Sequence, residues 1–346
     1  MMWHGPHVIR RSTSPQEVMA ILDLLPHIQD LELEHLQFLS EAVPAVIPTP
    51  PRSLRSFRLT FFCPTVVLQD IYNLLSCFRS ISTVSFYETN LLHEPSVGLL
   101  HPPDELIKVK ALELTFLNTG SASIWIDKVC THLDFTSLTT LSVQAPLNVP
   151  HITDMTPALH RLLRRCTALQ TLVCLRDVFH GLQTYQHACP SLHTLRFVKR
   201  LVADMPHLDS PWAKIQDIMG SPLAAAVCNV TFEVEFVISI NHNEPNPDVS
   251  GLEQRFRRTL EALDWTPVVA IVERLRSMTI SMEMKLRRSV EEVHDGGRSI
   301  TCYSIPLSWD GDGRAYRTIL ESIVKERVPL SSHQRFDAHI VLSNPL

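Results

Sequence analysis

One short pattern recurs through most of this chain and constrains its fold more than any other feature: an apolar residue, two variable residues, an apolar residue, one variable residue, and an apolar residue. Copies stand at Ile28/Leu31/Leu33, Leu54/Phe57/Leu59, Ile81/Val84/Phe86, Val109/Leu112/Leu114, Leu138/Leu141/Val143, Leu169/Leu172/Cys174 and Leu192/Leu195/Phe197. Two weaker copies follow at Val227/Val230/Phe232 and Leu275/Met278/Ile280. With the middle residue as anchor, the successive intervals are 26, 27, 28, 29, 31, 23, 35 and 48 residues. The first seven suit one strand plus one helix per repeat. A repeat of this size cannot bury its apolar side alone, so it must stack on its neighbours.

Around each anchor the apolar residues alternate with mostly polar ones: Asp30/Glu32/Glu34, Ser56/Arg58/Thr60, Thr83/Ser85/Tyr87, Ala111/Glu113/Thr115 and Thr140/Ser142/Gln144. Alternation with period two predicts strands with one buried and one open face. Between them lie helical patterns. Ser14-Pro15-Gln16-Glu17 reads as a helix start, followed by Val18, Ile21, Leu22 and Leu25 on one face. Val67/Ile71/Leu74/Leu75, Ile124/Ile126/Val129/Leu133 and Leu159/Leu162/Leu163/Cys166 repeat the theme. Strands alternating with helices predict an α/β fold with a parallel sheet, coiled into a solenoid with strands on its concave side and helices on its convex side. A doubly wound sheet is the alternative, but its strands should be apolar on both faces.

The helix ends also recur. Cys166-Thr167-Ala168-Leu169 and Cys189-Pro190-Ser191-Leu192 each place a thiol three residues before the first strand leucine, and Pro26 stands where a helix should stop. The Leu-x-x-Leu-x-Leu repeat with these junctions resembles the irregular leucine-rich-repeat portion of F-box proteins, above all those of mushroom-forming (basidiomycete) fungi, over about residues 14–285. That resemblance implies a leucine-rich-repeat horseshoe whose concave face holds a protein. In the family, an F-box preceding the repeats docks onto the Skp1 adaptor of a ubiquitin ligase, and the repeats hold its substrate. This chain departs from the pattern, because its repeats begin almost at once and Leu25-Pro26 falls within the first of them. A Skp1-type adaptor is therefore implied only if an F-box exists upstream. Without one, the expectation is a stand-alone scaffold.

Residues 1–13 are expected to be frayed or disordered, residues 14–285 to form the solenoid, and residues 286–346 an atypical α/β cap. Helices are expected over 252–263, 267–275 and 315–328. Strands are expected over 300–309 and 338–343. Residues 287–298, charged and ending in glycines, read as an exposed loop.

Few other classes survive the composition. The chain is 45% hydrophobic and 19% charged, a globular balance. Net charge is -5 without a basic block, which argues against nucleic-acid binding. The apolar run 223–240 is broken by Glu233 and Glu235, so no membrane span is expected. The N-terminus has no apolar leader, and the eight cysteines have no CxxC pair, so they read as reduced thiols of a cytoplasmic or nuclear monomer. No HExxH, zinc-finger spacing, Gly-rich phosphate loop or GxSxG elbow occurs. Asp310-Gly311-Asp312-Gly313 lacks the glycine a calcium loop needs at its sixth position. The reading is non-enzymatic, with no metal and no cofactor. An enzyme on an unrecognised α/β fold remains the alternative, its site assembled from distant residues.

The candidate partner-binding residues lie on the predicted open face. Charge changes sign along Glu32, Arg58, Glu113 and Arg196, while Val173, Leu175 and Val198 occupy positions that are polar elsewhere. Tyr87 is a possible anchor. An apolar patch with a charged rim suits a protein partner.

Overall fold

The computed structural model describes residues 12–13, 15–34, 37–38, 52–60, 71, 74–87, 106–115, 126–127, 129–144, 156–175, 185–203, 212, 215–241, 248–294, 297–305 and 313–342. The chain forms two compact units, Met1–Ser191 and Leu192–Leu346. Both are mixed α/β, each with an open sheet whose strands, save one, run parallel to their neighbours.

In the first unit, β1 (Ser12–Thr13) precedes α1 (Pro15–Leu24) and β2 (Asp30–Glu34), and β3 (Gln37–Phe38) pairs with β1. The main sheet continues through β4 (Arg52–Thr60), β5 (Phe78–Tyr87), β6 (Ile107–Thr115), β7 (Leu133–Asp134), β8 (Thr140–Gln144) and, after α2 (Thr156–Arg165), β9 (Thr171–Leu175). Its order is β2-β4-β5-β6-β8-β9, with the short β7 also on β6. The anchors are direct register partners: Leu31 with Phe57, Phe57 with Val84, Val84 with Leu112, Leu112 with Leu141, and Leu141 with Leu172. From Phe57 onward each anchor is 0–2% exposed. The stacked row is the core of the unit, joined by Phe78 and Phe86, whose rings lie 6.2 and 6.4 Å from Phe57.

The helix side follows from spacing only in part: of the expected face Val18/Ile21/Leu22/Leu25, Ile21 and Leu25 are exposed, and Met19 is buried instead. Val18, Met19 and Leu22 of α1 and Ala158, Leu159, Leu162 and Leu163 of α2 are buried. The expected helix through Leu133 is shorter than its periodicity suggested. Val129–His132 is a 3₁₀ turn, and Leu133 already belongs to β7.

The second unit begins with β10 (Thr194–Val202), α3 (Ile215–Gly220) and β11 (Asn229–Asn241). Next come α4 (Val249–Glu261), α5 (Thr266–Val272), β12 (Ser277–His294), β13 (Gly297–Ile305), α6 (Arg314–Arg327) and β14 (Arg335–Leu342). Leu195, Val230 and Met278 are again register partners. Beneath them an aromatic chain fills the core. Phe197 stacks on Phe232, and Trp212 meets both Phe232 and Trp265, while Phe256 bridges Phe236 and Tyr316. The expected loop over 287–298 is instead strand at 287–294 and 297–298. β12 runs on to His294 and turns back antiparallel into β13, with Leu286 opposite Ile305 and His294 opposite Gly297. The charges of this stretch hid a period-two ladder. β14 pairs parallel with the first half of β12, setting Phe336 beside Met278.

A backbone rung recurs where strands begin. Two successive N–H groups donate to the one carbonyl that stands just ahead of an earlier strand: those of Arg55 and Ser56 to Gln29, Gln170 and Thr171 to Thr139, Cys228 and Asn229 to His193, and Arg276 and Ser277 to Cys228. Each acceptor lies two residues before an anchor, so the rung holds the register independently of side chains. Side chains also tie each repeat to the helix end before it. Arg165 donates to the carbonyls of Cys130 and Leu133 at 3.1 Å and covers the Phe135 ring at 4.7 Å. Arg274 caps Met219 and Ala224 in the same way, and Gln334 caps Val272 and Leu275. These donors satisfy carbonyls that a helix leaves open at its C-terminus.

Gly313 precedes α6 with φ of 71°. A side chain there would be strained, and its Cβ would meet Ile340 Cγ2 at 3.2 Å. Gly313→Ala is expected to destabilise the second unit by about 1–2 kcal/mol, read as a lower urea midpoint at unchanged slope.

Candidate functional site

The polar side chains between the anchors share one face of each sheet because strand residues alternate. In the first unit, register builds two rows. Glu32, Arg58, Ser85, Glu113, Ser142 and Val173 form one, and Glu34, Thr60, Tyr87, Thr115, Gln144 and Leu175 the other. Six of the eight candidate residues thus fall on two adjacent rows of one face.

The first row is internally paired. Arg58 Nη1 donates to Glu32 at 3.2 Å, and its guanidinium lies 5.1 Å from the centre of the Tyr87 ring. Ser85, buried at 2%, donates to Glu113 Oε2 at 2.7 Å. Partial burial works against the charge of Arg58, but the hydrogen bond to Glu32 and the nearby Tyr87, Glu32 and Glu113 outweigh it and raise its pKa. The result is an amphipathic surface of one aromatic ring, one cation and two carboxylates, held by side-chain contacts between strands.

The apolar part of the expectation needs correction. Val173 stands in the row as predicted but is only 8% exposed, so it adds packing rather than open apolar surface. Leu175 is in register with Gln144, but its side chain lies outside the described residues.

Arg196 and Val198 belong to the second unit and line its own open face. Arg196 pairs with Glu233, whose register partner is the half-buried Val198. Two residues further along the strands is a cluster that the anchor pattern did not reveal. Glu235 lies 3.5 Å from Arg200, 3.5 Å from Lys285 and 3.2 Å from Arg287, and Lys285 also reaches Glu283 at 3.0 Å. Extending the alternation past each anchor by two positions would have found it, because Glu233, Glu235, Glu283, Lys285 and Arg287 keep period two. Val237, on the same face, is fully buried between Val202 and Lys285, as expected where long basic side chains lay their stems over apolar surface. Glu235→Ala is expected to cost about 1–3 kcal/mol at low salt, because one carboxylate neutralises three cations. The loss should shrink in about 1 M salt, where screening reaches ~3 Å, as comparison of urea midpoints would show.

Among the described residues, no group of three or more His, Cys, Asp or Glu could hold a metal ion. No described helix is long and apolar enough to cross a membrane. The recurring thiols are buried at Cys77, Cys130, Cys166, Cys174 and Cys189, and half-buried at Cys228. Burial pushes Cys77 up to about 11 and Cys130 up to about 12, and also raises Cys166 and Cys189. A thiol held protonated is a packing group rather than a nucleophile. No known protein-family model matches the sequence, and no curated protein is significantly similar to it.

Proposed function

We propose that this chain is a non-enzymatic protein-interaction module, an irregular leucine-rich-repeat solenoid of the F-box type that grips a protein on its open strand face. The observation that carries the reading is the in-register stack of anchors. It buries one side of each sheet and leaves the other lined by charged and hydrogen-bonding side chains from successive repeats. A surface of this kind binds by shape and charge and needs neither metal nor cofactor. Arg58 with Tyr87 is the best anchor on it, because arginine and tyrosine are enriched among the residues that carry binding energy and this pair is already held in contact. Substrate recognition for a ubiquitin ligase rests on the resemblance of the repeats, and a cytoplasmic or nuclear setting on the reading of the cysteines as reduced thiols.

The test is a pull-down of the tagged chain from a fungal lysate, read by mass spectrometry, beside a variant carrying Arg58→Glu and Arg196→Glu. Both residues are largely exposed, so unchanged circular dichroism is expected in the variant. One partner lost from the variant, with a Skp1-type adaptor retained in both samples, supports the receptor role. A partner lost with no adaptor in either sample supports a stand-alone scaffold. An identical set of partners in both samples overturns the open-face site.

A further inference from the structure

The sheet of the first unit ends at β2 in an unfinished edge. Leu31 and Leu33 occupy the positions that Phe57 and Leu59 hold one strand later, yet they are half-buried where the latter are 0% exposed. Ahead of β2 in the chain, α1 and the residue after it present Ile21, Leu24 and Leu25 at 54%, 82% and 48% exposure, three of the five large exposed apolar residues among those described. Among the described residues no strand pairs with the edge of β2 that faces away from β4. Its backbone N–H and C=O groups on that side therefore form a template for a further strand.

Charge selects the occupant. Asp30, Glu32 and Glu34 all point to the open face and are exposed. β4 answers them with cations: Arg55 pairs with Asp30, and Arg58 with Glu32 at 3.2 Å. Glu34 has no ion pair among the described residues. A strand added on the other side meets the same row, where a cation opposite Glu34 completes the pairing that β4 gives Asp30 and Glu32. A second copy of the chain does not supply it, because β2 against β2 sets carboxylates beside carboxylates.

We propose that the free edge of β2, with the exposed apolar end of α1, takes up an extended cationic segment of a partner protein as an added strand. The segment alternates lysine or arginine with branched apolar residues over about five positions, and carries further apolar side chains to cover Ile21, Leu24 and Leu25. Main-chain pairing gives the affinity, and the alternation fixes which face each side chain meets. This surface is separate from the open face of the second unit and stands whether or not that face binds.

The experiment measures binding of a fluorescein-labelled seven-residue peptide alternating valine with lysine to the full chain. A control peptide carries the same charge but has proline in place of valine, which cannot pair. Binding at least ~10-fold tighter for the valine peptide is expected, weakened ~10-fold by Glu34→Lys and by Leu24→Ser, and unchanged by Arg196→Glu. Both weakening changes fall on exposed side chains, so the variants should fold. Hydrogen exchange of the β2 amides should slow on binding. Equal binding of the proline peptide overturns the proposal, since charge alone then suffices. So does slow exchange of all β2 amides in the free monomer, which assigns the edge to another segment of this chain. A dimer lost with Leu24→Ser but strengthened by Glu34→Lys in sedimentation overturns it in favour of a second copy.

Discussion

Replacing Phe57 by alanine is expected to cost about 3–5 kcal/mol, enough to unfold a unit of ordinary stability. Phe57 is fully buried, stands in register between Leu31 and Val84, and touches the rings of Phe78 and Phe86. Removing its ring opens a cavity in the one row through which three successive strands are packed. Little else can close it, because the neighbouring strands are held by backbone ladders. Arg58→Ala, one residue along and facing the other way, should cost less than about 1 kcal/mol, because its pair with Glu32 is solvent-exposed. Urea unfolding of the two variants makes the comparison. Similar losses in both would mean that the register assigned to β4 is wrong.

The second large effect is chemical. At about pH 8, the half-buried Cys228 should be alkylated first, while Cys130 and Cys166 remain unmodified until the protein unfolds. A pKa moved from 9.0 to about 12 leaves Cys130 about a thousandfold less thiolate, and burial of the sulfur slows it further. Cys166 sits against Cys130 and Cys189, and its Sγ donates to the carbonyl of Leu162 at 3.1 Å. Peptide mapping after timed iodoacetamide treatment reads each site, and a parallel sample in denaturant should lose the difference. The same shift ties stability to alkali. A thiol whose pKa is raised on folding contributes its full stabilisation below the unfolded value near 9. That contribution is lost progressively as pH climbs toward the folded one. Unfolding should become easier between about pH 9 and 12, and Cys130→Ala should flatten that limb of the profile.

What could be read from the sequence was what has a period. The nine anchors were visible because burial on one face forces apolar residues to alternate, and register then makes most of them neighbours. Glu32, Arg58, Tyr87 and Glu113 were legible as one surface for the same reason. The hairpin of β12 and β13 was not, because charged residues over 287–298 look the same in a loop as on a solvated strand. The place of β14 was hidden by the hairpin and helix inserted between Met278 and its partner Phe336. The carbonyl rung involves no side chain and leaves no trace in composition. The charges of the Glu235 cluster could have been placed on the open face by extending the alternation, but that residues 200, 235, 285 and 287 meet follows only from the register of β10, β11 and β12.

The rows of the open face also set a pitch. Neighbouring strands lie about 4.8 Å apart, whereas an extended peptide places side chains of one side about 6.7 Å apart and a helix advances 5.4 Å per turn. A ligand strand laid across the rows falls out of step within two strands. A ligand helix inclined by roughly 27° to the row, where 4.8 Å between strands is stretched to 5.4 Å along its axis, sets one turn over each strand. Over the three steps from β2 to β6 such a helix drifts about 7 Å sideways, roughly one row spacing, so its line can pass from Glu32 and Arg58 to Tyr87 and Thr115 of the next row, four letters each written by a different repeat. A substitution in one repeat changes one letter and leaves the spacing of the others intact.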